Sequence, residues 1–121
     1  MKRRLVTFDL PVYLDGAFKY FERSEPSDDY PKPQAKDSKF GDIWYREVEV
    51  YDRSRMEFQQ NGIEVTIKLA IQFDQRIKSG NYIRIDGVLH DIYNVSHPYN
   101  GEIRETEITC TEPKIHLEVI G

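Results

Sequence analysis

Few residues in this chain have the means to do chemistry. His90, His97 and His116 are its three imidazoles and Cys110 its one thiol. No histidine falls in an HExxH or other metal-ligand spacing, and a single cysteine cannot build a thiolate site. His90 lies beside Asp91, and such an isolated pair is most simply a surface or half-buried polar contact. Cys110 falls on the same face as Ile108 and reads as a small core hydrophobe. Asp9, Asp15, Glu47 and Glu49 offer carboxylates for acid–base work, but carboxylates two apart on a strand more often form a solvated edge that blocks unwanted pairing. There is no GxSxG, no P-loop and no GxGxxG. The expectation is therefore no catalytic residues, no metal, no cofactor and no enzyme activity.

Cations are the other candidate chemistry. Arg53, Arg55, Arg76 and Lys78 flank the centre of the chain, but Asp52, Glu57 and Asp74 are interleaved with them. That pattern describes a mixed, solvated surface rather than a grip on phosphates.

The elements that must position these residues are strands. In residues 63–74, Ile63, Val65, Ile67, Leu69, Ile71 and Phe73 occupy every second position. Side chains alternate faces along a strand, so this stretch predicts one long strand with an apolar face and a wet face. At about 3.3 Å per residue it runs roughly 40 Å, enough to bend across a barrel or project from it. Asn61-Gly62, the strongest short hairpin signal, precedes it and predicts that it folds back on residues 55–60.

Residues 5–10 predict an edge strand ended by Pro11. Asp15-Gly16 signals a turn, with residues 17–21 pairing back. Residues 22–42 hold Pro26, Pro31 and Pro33, many charges and no periodicity, and predict a long polar loop. Residues 43–51 form a second strand, with Trp44, Arg46, Val48 and Val50 on one face and Ile43, Tyr45, Glu47, Glu49 and Tyr51 on the other. Bulk on both faces suits contact with another subunit. Ser79-Gly80, Asp86-Gly87 and Asn100-Gly101 are turn signals separating strands at 82–85, 88–95 and 103–112, the last with Ile108 and Cys110 on one face and threonines on the other. Residues 113–121 make a final strand or docking tail. Short strands separated by glycine turns predict an all-β fold over residues 1–121, a small antiparallel β-barrel or sandwich of about six to eight strands.

The 121 residues suit one domain, and 31% charged residues suit a wet surface. A net charge of −4 provides no electrostatic footprint for holding nucleic acid. One cysteine excludes an intrachain disulfide. No apolar run approaches the ~20 residues of a membrane span, and no apolar core follows the basic start Met-Lys-Arg-Arg as it would in a signal peptide.

Trp44 and the C-terminal half carry a resemblance. The run Asp74-Gln75-Arg76-Ile77, Ser79-Gly80, Tyr82-Ile83-Arg84-Ile85-Asp86-Gly87, His90-Asp91-Ile92-Tyr93-Asn94-Val95 and Ile108-Thr109-Cys110-Thr111-Glu112 resembles the head–tail joining family of tailed bacteriophages, the head-closure or stopper proteins. The family pattern is an arginine near the end of a long strand, an isoleucine before a DG turn, an aromatic-x-Ile return strand and a closing strand ending near a cysteine; here His90 stands in place of the aromatic. Trp44 matches the tryptophan that begins an earlier strand of that family. The resemblance covers roughly residues 44–112.

It implies a small barrel that assembles into a ring, usually hexameric, in the virion neck. The ring sits between the portal and adaptor rings and the tail, retains packaged double-stranded DNA and offers the tail its attachment site. A loop from each subunit reaches the DNA channel. The projecting hairpin expected after the tryptophan strand assigns that loop to Arg53, Ser54, Arg55, Met56, Glu57, Phe58, Gln59, Gln60, Asn61 and Gly62, with 22–42 as the second candidate. Tyr30, Lys36, Lys39, Ile115, Leu117 and Val119 are the expected contacts to partner proteins. The alternatives are a tail-completion or tail-terminator protein of the same connector and, from another class, an OB- or SH3-like single-strand-binding module. The last needs exposed rings along a basic groove, for which Tyr45, Tyr51, Tyr82 and Tyr93 are the available tyrosines.

Overall fold

The structure, a computed structural model, describes residues 12–26, 28, 32–48, 67–113, 117 and 119–120. Every described element is a strand: β1 (Gly16–Ser24), β2 (Gln34–Asp37), β3 (Ile43–Glu47), β4 (Ile67–Gln72), β5 (Tyr82–Ile85), β6 (Val88–Ser96), β7 (Tyr99–Asn100), β8 (Ile103–Pro113) and β9 (Val119–Ile120). The fold is all-β, with a closed six-stranded antiparallel barrel and additional strands. Its wall runs β3-β4-β8-β6-β5-β1, and pairing of β1 with β3 closes it.

β1 achieves closure by dividing its length. Gly16, Ala17 and Phe18 pair with β3, Lys19 to Phe21 with β5, and Phe21 to Ser24 with β2. Its two faces are both apolar at the middle. Phe18 and Tyr20 point into the barrel with Tyr45, Leu69, Ile71, Ile83, Ile92, Ile108 and Cys110. Phe21 points outward and is covered by a flap in which β9 pairs with β2 in parallel; Ala35, Tyr82 and Leu89 surround it, and Leu117 packs against them. Each large side chain so buried contributes about 1.5–3 kcal/mol relative to exposure. The Tyr20 hydroxyl, buried with its ring, accepts the Lys78 N–H at 3.1 Å and the Asn81 side-chain amide at 2.6 Å, which satisfies a polar atom inside the barrel.

Turn chemistry sets the register. Asp86 and Gly87 have φ of 52° and 79°, the two positive values of a type I′ turn, and Ile85 pairs with Val88 across it. Gly101 at φ 66° turns β7 into β8.

Several expectations change. Asp15-Gly16 is not a reversal: the Asp15 N–H donates to the Tyr45 carbonyl at 2.9 Å and the chain runs straight into β1. Residues 22–42 are not one loop, because the end of β1 and all of β2 lie within them. Alternation was hidden there by charged side chains on the flap's outer face, such as Glu22 and Lys36. β4 ends at Gln72, and Phe73 is 41% exposed instead of continuing the apolar row. Thr106 lies on the inner row with Ile108 and Cys110 and is fully buried. Its hydroxyl accepts the Asp74 N–H at 2.8 Å, which caps the strand end where β4 leaves the sheet. The expected strand at 5–10 lies outside the described residues, as do the first arm, the turn and residues 63–66 of the hairpin expected between 55–60 and 63–74.

One close approach makes a specific residue obligatory. A Cβ at Gly16 would lie 2.6 Å from the Tyr45 hydroxyl and 2.9 Å from its ring carbon. Tyr45 is 5% exposed and packs on Phe18 with centroids 6.1 Å apart, so the ring has little room to yield. Gly16→Ala is expected to destabilise the fold by about 1–3 kcal/mol, read as a lower urea midpoint at unchanged slope; an unchanged midpoint would mean that Tyr45 swings aside without cost.

Candidate functional site

The outer rows of β3, β4 and β8 carry a charge cluster. Arg46 pairs with Ala70 in register, and Ala70 pairs with Glu107. One step along β8, Glu105 is 1% exposed. Its neighbours Thr106, Ile108 and Cys110 mark the inward row, so Glu105 projects from the outside of the barrel and is nevertheless buried.

What covers it is the chain before β1. Residues 12–14 lead to this face without joining a ladder. Tyr13 turns inward and its hydroxyl donates to Glu105 Oε2 at 2.7 Å. Arg46 grips the same carboxylate as a fork, Nη2 to Oε1 at 2.6 Å and Nε to Oε2 at 3.2 Å. Charge-assisted, two-pronged contacts of this kind are the strongest hydrogen bonds a protein makes. Burial alone would push the Glu105 carboxyl up, but the bonds from Arg46 and Tyr13 outweigh it and hold the group below its ordinary value. Burial and the same hydrogen bond raise the Tyr13 phenol.

Above this cluster lies an open groove of about 880 Å³. Its walls include the outward-facing Val12 and Leu14, Trp44 of β3, and Phe73 beyond β4. These are exposed by 56%, 76%, 56% and 41% respectively, which makes a surface of large apolar groups rather than scattered single ones. At one rim Arg76 lies 4.0 Å above the Phe40 ring and forks onto Asp74 at 3.0 and 2.8 Å. Those bonds from Arg76 hold the Asp74 carboxyl below its ordinary range. At the other side Arg104 lies over Phe73 at 4.9 Å and over the exposed Tyr99 at 5.6 Å. A second hollow, about 470 Å³, lies by the flap between Arg23, Tyr93 and Leu117.

The chemistry available is packing and ion pairing. His97 Nδ1 and Thr106 Oγ1 are 2.9 Å apart, the geometry of a base and a hydroxyl nucleophile. Thr106 is wholly buried and already accepts a backbone N–H, so this pair clasps the strand end and does not face a substrate. Burial pushes the Cys110 thiol up to about 12, far from thiolate. Burial lowers the His90 imidazole, which stands on β6. Among the described residues no group of three metal-ligating side chains converges.

The sequence-derived sites fare unevenly. Arg53, Ser54, Arg55, Met56, Glu57, Phe58, Gln59, Gln60, Asn61 and Gly62 lie outside the described residues, as do Tyr30 and Ile115. Lys36 and Lys39 are exposed on or just after β2, and Val119 is 42% exposed on β9. Leu117 is half-buried: it packs against the Phe21 cluster and also lines the second hollow. Tyr45 and Tyr82 are corrected from possible stacking surfaces to core residues, 5% and 6% exposed. Sequence reading missed the Tyr13–Glu105–Arg46 cluster. Within Arg104-Glu105-Thr106-Glu107 nothing distinguishes a buried glutamate from a solvated one.

No known family model matches the chain, and no curated protein matches it in sequence.

The cluster predicts a pH dependence. Because Glu105 is depressed in the folded state, its stabilisation is fully present above the unfolded carboxylate value of about 4.3 and is lost as pH falls through the lower folded value. Glu105→Gln is expected to cost about 2–3 kcal/mol at pH 7, below the usual range for breaking a buried pair because the Arg46 side chain is 29% exposed. The gap in urea midpoint between pH 7 and pH 3 should narrow in the variant; a gap of wild-type size would remove Glu105 from the account.

Proposed function

We propose that this chain is a head-closure protein of a tailed bacteriophage, a structural part of the neck that joins a DNA-filled head to its tail. The observation that supports this most is the flank of the barrel. A closed wall leaves its strands no edges to share, yet Val12, Leu14, Trp44 and Phe73 present large apolar side chains along one groove. A surface of that kind is built to be covered by other chains. The resemblance of residues 44–112 to the head–tail joining family supplies the identity of the assembly.

On this reading, copies of the chain form a ring, the portal or adaptor ring and the tail are its partners, and double-stranded DNA is touched only in passing. A net charge of −4 suits that role, since strong cation–phosphate contacts would hold the DNA that must pass. The segment 53–62 is assigned to the channel on its sequence alone. A single-strand-binding module is less well supported, because two of the four tyrosines it would use are buried.

The test is removal of the gene from a phage or prophage that carries it. Heads that package DNA but fail to join tails of normal length are expected, with the genome lost from those heads. Overlong tails would assign the chain to tail termination instead. Normal infectious particles would overturn both readings. Deleting residues 55–60 alone is expected to give heads that leak DNA; heads that retain it would remove that segment from the channel.

A further inference from the structure

Three observations converge on residues 12–15. First, Glu105 belongs to the outer row of β8 and is still 1% exposed, so its burial depends on what lies over the barrel. Second, residues 12–14 belong to no strand, and the apolar side chains of that segment do not hold it down: Val12 is 56% and Leu14 76% exposed. Third, among the described residues the hydrogen bonds that attach this stretch are few and local. Tyr13 donates to Glu105 at 2.7 Å, and at the base Asp15 bonds to β3 twice, N–H to the Tyr45 carbonyl at 2.9 Å and carboxylate from the Glu47 N–H at 2.7 Å.

We infer that residues 12–15 form a strap latched by Tyr13 to the Arg46–Glu105 pair, and that neutralising Glu105 releases the strap and uncovers the outer faces of β3 and β8 around that pair. The strap turns about Gly16, the first residue of β1, so its release takes both Asp15 bonds with it. The latch works because the carboxylate is shared. Arg46 fixes its orientation from β3, and the phenol takes one of the lone pairs left over. When Glu105 loses its charge, the fork from Arg46 weakens and the carboxyl is free to turn away from Tyr13. The groups that bear on Glu105 are Tyr13 from the strap, Arg46 from β3 and the side chain of Asn100 from β7. Glu107 acts on Arg46 and is itself paired with Lys68 of β4 at 3.0 Å, so that pair sets the background field. This inference stands apart from the proposed function and concerns the barrel whatever partners it meets.

Tyr13→Phe in the full chain is the direct test, since it removes one oxygen and leaves the Arg46–Glu105 pair. At pH 7 the Asp15 and Glu47 amides are expected to exchange about tenfold faster or more, while amides of the β4–β8 ladder stay at wild-type rates. Emission of Trp44, the sole tryptophan, which lines the same groove as Val12 and Leu14, should shift as the strap leaves. Glu105→Gln should free the same two amides at pH 7, and in wild type the change in Trp44 emission should develop as pH falls below the ordinary carboxylate range. Wild-type exchange at Asp15 and Glu47 in Tyr13→Phe would overturn the latch. So would equal acceleration across β4–β8, which would mean general loosening. Protection retained in Glu105→Gln would overturn the role of charge.

Discussion

Closure of the barrel depends on one strand serving three neighbours. β1 spends its first residues on β3, its middle on β5 and its last on β2, and no other described strand could complete the wall. The constraint is steric as well as topological. β1 can approach β3 only because Gly16 lacks a side chain where the Tyr45 ring lies, and that ring in turn plugs the barrel beside Phe18. Once β1 is fixed, the strap before it must cross the outer face of β3, and the flap after it must fold back over Phe21. The groove and the flap therefore occupy opposite ends of the same strand.

A barrel wall ordinarily presents water with the polar half of its alternation. Here the outer rows of β3, β4 and β8 are partly withdrawn from water, and the consequence is a buried carboxylate. Such a group is tolerated only with close partners, because the interior gives up hydration worth several kcal/mol. Arg46 supplies the charge, Tyr13 a further bond, and the cluster holds the strap more than apolar burial does, since Val12 and Leu14 face outward. Apolar side chains that do not hold their own segment in place remain available to something else. The same geometry that leaves the strap lightly held turns Val12 and Leu14 toward the groove, beside the polar Asp42, Gln72, Asp74 and Arg76.

Much of the wall was legible in the residues. The Asp86-Gly87 turn, the pairing of Ile83 and Ile85 toward the core and the apolar row of Leu69 and Ile71 follow from period-two alternation and from the dihedral angles that only certain turn residues adopt. The flap was not legible, because β2 is four residues long and its sequence, Gln-Ala-Lys-Asp, carries no apolar alternation; it is a strand only because β1 and β9 offer it backbone partners. Thr106 shares the parity of Ile108 and Cys110, so alternation alone places it on their face and the expectation of threonines on the other face was mistaken for it; only the structure shows its hydroxyl taking the Asp74 N–H where β4 ends.

The order of apolar and polar residues determined that this chain is a β protein, where several of its hairpins turn, and that Cys110 belongs to the core. Those are local consequences of side-chain parity and backbone dihedral preference. Only the tertiary structure decided that Glu105 is buried, that Tyr13 reaches it across 92 residues of chain, and that Trp44 stands in a groove. Burial of an outward-facing residue is set by whatever distant segment lies over it, and that is a property of how the wall closes rather than of the residue's neighbours in sequence.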